Sequence, residues 1–429
     1  MNDNPAEVTG HITNLAFGGL GILRHEGMVI FVPFTAVGDK VRCRIVEQKK
    51  NYARGELLEL IEASLDRVKP VCPYFGKCGG CQLQHISYDS QLKHKQEIVK
   101  EALNRIGKLP NVEVKPVIPS ALQWSYRRHI TFNIRSNGKK LETGYIGIDD
   151  HTILPVSCCP IFVDPENPVL IQIQEVIKQF DNEQQNDGRV SIWTVSENQF
   201  VMSFQLKVQP KNGEVVLANA MKNFGWAGAI MTTPEQTISL GLSSPTCDVE
   251  GLTFGFSHDA FLQVNPEQSN NIYRALKEVG RGTQKILDLY CGIGISSILF
   301  AKQGASVIGV EGNPTAIKLA KENAERSHVK NIKFKTADVK KVIVGLLKEQ
   351  KADFVIVNPP RAGLDRSVVE ALLANPPKKL VYISCMPSTL ARDLALLCEV
   401  RYRVVSCQPY DMFPQTGHVE TLVCMNNKY

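Results

Sequence analysis

The chain has 429 residues, 43% of them apolar, with 49 Lys and Arg against 43 Asp and Glu and a net charge of +6. That length points to about three domains, and no apolar run approaches the ~20 residues that span a membrane, which excludes an integral helical membrane protein. MNDNPAEVTG lacks the basic-then-apolar layout of a secretory signal, so a cytoplasmic protein is expected. Its twelve cysteines are then expected to be reduced, buried, catalytic or metal-bound. The mild positive charge is compatible with RNA as a partner.

Residues 1–63 read as a small barrel. VTGHITNLAFGG, GLGILRHEGMVIFVP and DKVRCRIVEQKKNYARGELLELI are short strands with Gly-rich turns, the pattern of a five-stranded OB-like fold. Arg24, Lys40, Arg42, Arg44, Lys49, Lys50 and Arg54 give it a basic character suited to RNA, although lysines also guard strand edges.

Residues 64–245 read as an α+β central domain. It opens on VKPVCPYFGKCGGCQLQHISY, with Cys72, Cys78 and Cys81 in a Gly-rich loop. Three thiolates need a fourth ligand, for which Cys158 and Cys159 are candidates, and four thiolates suit zinc or an iron–sulfur centre. Leu92, Ile98, Val99, Ala102, Leu103 and Ile106 then fall on one helical stripe. Asp89 or Ser90 is the expected N-cap, and Gly107 and Pro110 the stop. The lysines from Lys93 to Lys108 read as a solvated face, and this helix (residues 90–107) is expected to pack on the catalytic domain. RRHITFNIR, ETGYIGID and QFVMSFQLKVQP alternate as strands, and PVLIQIQEVIKQF reads as a helix. Tyr126, Arg127, Arg128 and Phe132 are candidate RNA contacts.

From residue 246 to 429 the pattern becomes β–α repeats: KILDLY, SVIGVE, NIKFKTA, DFVIVN, KLVYIS and YRVVS, then HVETLVCM. The expected fold is α/β, a doubly wound, mostly parallel sheet with an antiparallel finish. Ligands of such sheets bind outside the carboxyl ends of the strands, which puts Tyr290 to Gly294, Glu311, Asp338, Asn358 and Cys385 on one rim. Gly292 and Gly294 let the backbone approach a ligand. Ser297 stands where a dinucleotide fingerprint wants a third glycine, and no P-loop lysine follows. Glu311 suits the two hydroxyls of a ribose; Asp338 suits an adenine edge or a helix N-cap. Asn358-Pro359-Pro360 is a stiff turn, and Arg361 after it removes the aromatic platform of adenine amino-group enzymes. Together these features resemble a class I S-adenosylmethionine-dependent methyltransferase.

A cysteine on such a rim has a chemical reason. Carbon-5 of a pyrimidine is a poor nucleophile until a thiolate adds to carbon-6, and the carbon-5 proton must later be removed by a base. Cys385 supplies the thiol, and Glu420 in GHVET the base, with His418 as the alternative. FLQVNPEQ (Phe261 to Gln268), DLYCGIG, VEGNP, NPPRAG, YISCMPSTLARDL and HVETLV resemble the RNA uridine-5-methyltransferase family over nearly the whole chain, and the barrel is similar to the TRAM domain of some members. The resemblance implies that Cys385 is the nucleophile and Glu420 the proton acceptor. It implies that Gln263, Tyr290, Glu311 and the residue at 358 contact S-adenosylmethionine, and that Cys72, Cys78, Cys81 and Cys159 hold a [4Fe-4S] cluster of structural role. Asn358 stands where many members have Asp, and Tyr290 where Phe is common. DNA cytosine enzymes carry Pro-Cys after the fourth strand, where this chain has Pro-Pro; RNA cytosine enzymes carry a second cysteine there. The expected substrate is structured RNA, 23S ribosomal RNA before transfer RNA uridine-54, with the target base flipped out. No obligate protein partner is implied, and a monomer is expected. The alternative of another class is a non-catalytic RNA-binding or chaperone protein.

Overall fold

The computed structural model describes residues 6–138, 140–163, 168–181, 186–196, 198–257, 260 and 262–429. Alternating apolar and polar residues fold the N-terminal segment into a closed barrel. Its strands are β1 (Glu7–Leu15), β2 (Gly21–His25), β3 (Met28–Val32), β4 (Lys40–Gln48) and β5 (Tyr52–Glu62), in the order β1-β2-β3-β5-β4. Val8, Ile12, Leu23, Ile30, Val32, Val41, Cys43 and Ala53 fill it. The expected basic face is largely offset from within the barrel. Lys40 pairs with Glu62, Arg42 with Glu7 and Glu59, Arg44 with Glu7 and Glu56, and Lys49 and Arg54 with Glu47. These are exposed pairs of small individual worth, so a phosphate can compete for them.

The chain then forms the cysteine loop and helix α1 (Tyr88–Arg105). The N-cap is Ser87, ahead of the expected Asp89 or Ser90, both of which lie in the helix's first turn. The helix packs on the last helix of the chain, α9 (Pro387–Val400), with Val99 and Leu103 in the same core as Leu390, Ala391, Leu394 and Leu397. One lysine departs from the expected solvated face. Lys95 is fully buried, and its Nζ donates to Asp411 Oδ1 at 2.6 Å and to the Phe413 carbonyl at 3.0 Å.

The central sheet runs β12 (Thr237–Gly241), β11 (Gly228–Thr232), β10 (Gln199–Leu206), β9 (Gly188–Ser196), β6 (His129–Asn137), β7 (Lys140–Ile146) and β8 (Ile153–Leu154). Helices α2 (Val169–Lys178) and α3 (Gly213–Phe224) share its core. Phe132 is buried in that core, and Tyr126 is buried with its hydroxyl on the Pro414 carbonyl at 3.1 Å. Both are therefore structural and not RNA contacts as expected; Arg128 is exposed. A hairpin, β13 (Thr246–Val249) and β14 (Leu252–Gly255), leads into the last unit.

That unit is a doubly wound sheet in the order β17 (Ile332–Thr336), β16 (Ser306–Glu311), β15 (Lys285–Leu289), β18 (Phe354–Val357), β19 (Lys379–Ser384), β21 (Glu420–Asn427) and β20 (Tyr402–Tyr410). The first five strands are parallel, and β21 is antiparallel to both its neighbours. Helices α4 (Pro266–Val279), α5 (Ile295–Lys302), α6 (Pro314–Arg326), α7 (Val339–Gln350) and α8 (Arg366–Ala374), with α9, connect and cover it. Local chemistry sets their starts. Asn265 and Asn313 cap α4 and α6 ahead of a first-turn proline, and Asp338 and Asp365 cap α7 and α8. Among the described residues no helix is long and apolar enough to cross a membrane.

The buried Lys95–Asp411 pair ties α1 to the segment between β20 and β21. Breaking one side of such a pair leaves an unpaired buried charge, which costs about 3–5 kcal/mol. Lys95→Met should therefore lower stability by that amount in urea unfolding. Adding Asp411→Leu should recover part of it; a double variant no better than the single one would show that the ion pair is not the source of the loss.

Candidate active site

The sheet order reverses between β15 and β18, and the loops leaving these strands diverge there. The loop after β15 is tightly constrained. Tyr290 holds a left-handed φ of 63°, unusual for a residue with a side chain, and Gly292 and Gly294 follow at 54° and 84°. Asp288, buried at the strand end, accepts from the hydroxyls of Ser296 (2.6 Å) and Ser297 (2.5 Å) and so anchors the first turn of α5 to the strand. Burial pushes its carboxyl up to about 6. A Cβ on Gly294 would meet Phe334 Cζ at 2.8 Å, whereas one on Gly292 would meet nothing within 4 Å. Gly292 thus faces open space, room for a ligand that approaches the backbone.

That space is a cleft lined by Leu262, Gln263, Tyr290, Gly292, Asn358 and Ile383, among others. Gln263 Oε1 is buried in it without a hydrogen-bond partner, an acceptor awaiting a donor. Glu311 lies beside the loop: its Oε2 accepts from Gly292 N at 3.2 Å and its Oε1 from Asn313 N at 2.9 Å. Of the seven candidate cofactor residues, Gln263, Tyr290, Gly292 and Asn358 line the cleft, and Gly294 and Glu311 support the loop. Asp338 is exposed and caps α7, accepting from Lys340 N. Phe261, the first residue of the FLQVNPEQ motif, lies outside the described residues.

Cys385 is the first residue after β19, and Glu420 opens β21. The register pairs Ser384 with Thr421, so Cys385 and Glu420, the next positions along, lie across from each other at the ends of neighbouring strands. Cys385 is half-buried; burial pushes its thiol up and the Glu420 charge adds to this, while the Arg361 guanidinium, hydrogen-bonded to it, opposes both. Arg361 is held in reach by α9: Thr389 Oγ1 donates to the Arg361 carbonyl at 3.1 Å, and Arg392 to the Ala362 carbonyl at 2.9 Å. Asp393 completes the brace, accepting from Leu364 N and the Tyr382 hydroxyl. Glu420 is 3% exposed, and burial pushes its carboxyl up to about 8. His418, two residues away, goes the other way. Burial, helped by Arg361, Lys95 and Arg127, brings its imidazole down to about 4.

Cys72, Cys78, Cys81, Cys158 and Cys159 line one cavity together with Tyr74, Tyr145 and Arg127. Burial pushes the Cys78 thiol up to about 11 and that of Cys81 to about 12. Among the described residues no group of three or more His, Cys, Asp or Glu side chains is placed to hold a metal ion.

Residues 246–428 match the family model described as tRNA (uracil-5-)-methyltransferase, and residues 8–65 match the TRAM domain of tRNA (uracil(54)-C(5))-methyltransferase. An uncharacterised RNA methyltransferase of Protochlamydia amoebophila is 45% identical over 423 residues, 97% of each chain. The chain belongs to the RNA (uracil-5-)-methyltransferase family. A second relative, an uncharacterised RNA methyltransferase of Halalkalibacterium halodurans, is 32% identical over 460 residues, covering 98% of this chain and 97% of its own. The crystal structure of Pyrococcus abyssi tRNA (uracil-54, C5)-methyltransferase in complex with S-adenosyl-L-homocysteine matches with a TM-score of 0.77. Its sequence is 26% identical, and the match covers 97% of this chain and all (100%) of that one. The methyltransferase sheet and the N-terminal TRAM barrel of this RNA methyltransferase are therefore those of its family. Sequence reasoning missed Asp288, Asp393 and the supports of the 411–419 segment; for Asp288 the signal was its place at the end of a strand that opens the glycine loop.

Two outcomes follow from this geometry. The Glu420 carboxyl, near 4.5 in an unfolded chain, titrates near 8 when folded, so the fold loses stability as pH rises through that interval. Glu420→Gln should match wild type in melting temperature at pH 5 and exceed it increasingly towards pH 8.5, by at most about 1.4 kcal/mol per pH unit. Equal melting curves at both pH values would contradict a buried, proton-binding Glu420. Gly292→Ala puts its methyl where nothing lies within 4 Å, at a left-handed φ of 54° that costs an alanine about 1–2 kcal/mol: it should remain folded with that loss of stability yet bind S-adenosylmethionine about tenfold or more weakly by calorimetry, the loss expected when a close backbone approach is blocked.

Proposed function

We propose that this protein methylates carbon-5 of a uridine in structured RNA, with S-adenosylmethionine as methyl donor. The observation that carries the reading is the adjacency of Cys385 and Glu420 at the ends of β19 and β21, beside the cleft of Gln263, Tyr290, Gly292 and Asn358. The cleft fits the donor: an orphaned buried acceptor on Gln263 and a glycine cradle on the loop after β15. When bound, the donor supplies a methyl group on an electrophilic sulfonium. Arg361 favours the thiolate of Cys385, which adds to carbon-6 of the flipped-out base. The resulting enolate makes carbon-5 nucleophilic, and carbon-5 takes the methyl. Glu420 then takes the carbon-5 proton, the carbon–sulfur bond breaks, and the thiolate returns. Once it has given up its own proton, a carboxylate whose acid lies near 8 is a far stronger base than an imidazole whose acid lies near 4, which favours Glu420 over His418.

Cys72, Cys78, Cys81 and Cys159 are proposed to hold a [4Fe-4S] cluster. What supports the reading is that these four thiols line one cavity, thiolates being the ligands such clusters take. The proposed substrate is 23S ribosomal RNA. A transfer RNA reading is favoured by one observation, the likeness to the Pyrococcus abyssi enzyme.

RNA carrying tritium at uridine carbon-5 should release it to water only with the methyl donor present. Cys385→Ala should abolish release, and Glu420→Gln should leave a protein–RNA adduct that survives denaturant. Turnover by Cys385→Ala would overturn the covalent mechanism. Ribosomal and transfer RNA offered side by side decide the substrate. Protein purified without oxygen should absorb near about 400 nm; a colourless protein with one zinc per chain would overturn the cluster.

A further inference from the structure

We infer that Gln82, the residue after Cys81, is a positioning residue for Glu420, through which the cysteine loop and the barrel together fix the base. The inference rests on the reading of Glu420 as proton acceptor. Glu420 enters β21 from an irregular segment, residues 411–419, in which Gln415 adopts a left-handed φ of 69°. Few hydrogen bonds close this segment on itself: Thr416 bonds the Phe413 carbonyl, and His418 N donates to Thr416 Oγ1. Its shape comes from outside.

Gln82 supplies the hydrogen bond from outside the segment that lies nearest the base. Its side-chain Oε1 accepts from Gly417 N at 3.3 Å, three residues before Glu420. Its Nε2 donates to the Gly79 carbonyl at 2.8 Å, which fixes the amide against the cysteine loop. Its backbone N, with that of Leu83, donates to the Gln415 carbonyl at 3.1 and 3.0 Å. The barrel closes on the same point. A Cβ on Gly417 would lie 2.6 Å from Gly18 C, and one on Gly19 would lie 3.0 Å from Gln82 Cβ. Phe17 meets the His418 ring edge-on at 5.6 Å. Gly417 is thus pinned between a barrel loop that leaves no room for a side chain and an amide that holds its N–H.

Proton removal from carbon-5 comes after methyl transfer, so a misplaced Glu420 delays release without preventing attack. Gln82→Met keeps the side chain's length and removes both hydrogen bonds. It should bind RNA with KM within about threefold of wild type yet slow product release by about ten- to a hundredfold, the scale of an ångström-sized misplacement. The denaturant-resistant adduct carrying the donor's labelled methyl should build up. Gln82→Glu, which keeps the acceptor for Gly417 N, should release faster than Gln82→Met. If Gln82→Met fails to fold, Gln82→Asn, too short to bridge, takes its place with the same expectation. Wild-type release and no adduct would overturn the inference, as would a slowed variant whose RNA carries no covalent methylated adduct. Wild-type protein and Glu420→Gln run alongside separate the two readings: if wild type makes no 5-methyluridine, or Glu420→Gln turns over freely, it is the reading of the reaction that fails.

Discussion

The ten residues from Asp411 to Glu420 are where the molecule is held together, and the Lys95–Asp411 ion pair is the constraint on which they depend. Both side chains are fully buried. A buried ammonium must be paired and hydrogen-bonded, and Lys95 satisfies this by taking Asp411 and the Phe413 carbonyl at once. Gln91, one turn earlier on the same helix, accepts from Gln415 N on its Oε1 and donates its Nε2 to Gln415 Oε1. Tyr126 of the central domain takes the Pro414 carbonyl, Gln82 takes Gly417 N, and Gly18 of the barrel fills the space beside Gly417. Helix α1, the central domain, the cysteine loop and the barrel therefore each contribute a contact to one segment. The catalytic sheet supplies the strand that carries Glu420, and the rest of the chain supplies the approach to it.

The opposite half of the site is built from within. Asp288 anchors the turn after β15, and Asp393, midway along α9, ties that helix to Tyr382 of β19 and to Leu364 in the loop that follows Arg361. Both are buried carboxylates whose oxygens are taken up by hydroxyls, backbone N–H groups and, at Asp393, the Arg392 guanidinium, which is how a loop is fixed without apolar contacts. The proposed donor side is thus preformed by local hydrogen bonds, while the proposed base side depends on contacts across hundreds of residues.

That contrast explains what could be read in advance. The rim of Tyr290, Gly292, Glu311, Asn358 and Cys385 was legible because each residue closes an apolar strand run, and sheets of this kind gather strand ends on one edge. The barrel was legible from its alternation. Lys95 was not, because a lysine in a Lys-rich helix reads as solvated and its partner lies 316 residues on. Tyr126 and Phe132 were misjudged although Ile130, Phe132 and Ile134 carry the period of two that marks a buried face; the adjacent arginines drew attention to the wrong face. Amide contacts such as Gln82 to Gly417 leave no trace in the sequence, since a glutamine carries no periodic or charge signal.

The electrostatics of the pair bear on the order of the proposed steps. Burial disfavours the ionised form of both Cys385 and Glu420, and the Glu420 charge further disfavours the Cys385 thiolate. Two such groups titrate as a unit that holds one negative charge more readily than two. The chemistry asks for only one at a time. While Cys385 is a thiolate, Glu420 can keep its proton. Bonding of sulfur to carbon-6 passes the charge to the enolate, and methyl transfer neutralises it; the repulsion is then gone, and Glu420 can give its proton to water and become a base. When it takes the carbon-5 proton it is neutral again as the thiolate leaves. The repulsion that would hinder a static pair therefore orders the proposed cycle: it discourages ionisation of Glu420 before the carbon–sulfur bond forms and favours protonated Glu420 when that bond breaks. One proton reaches solvent per turnover, which balances the loss of positive charge when the sulfonium becomes a thioether.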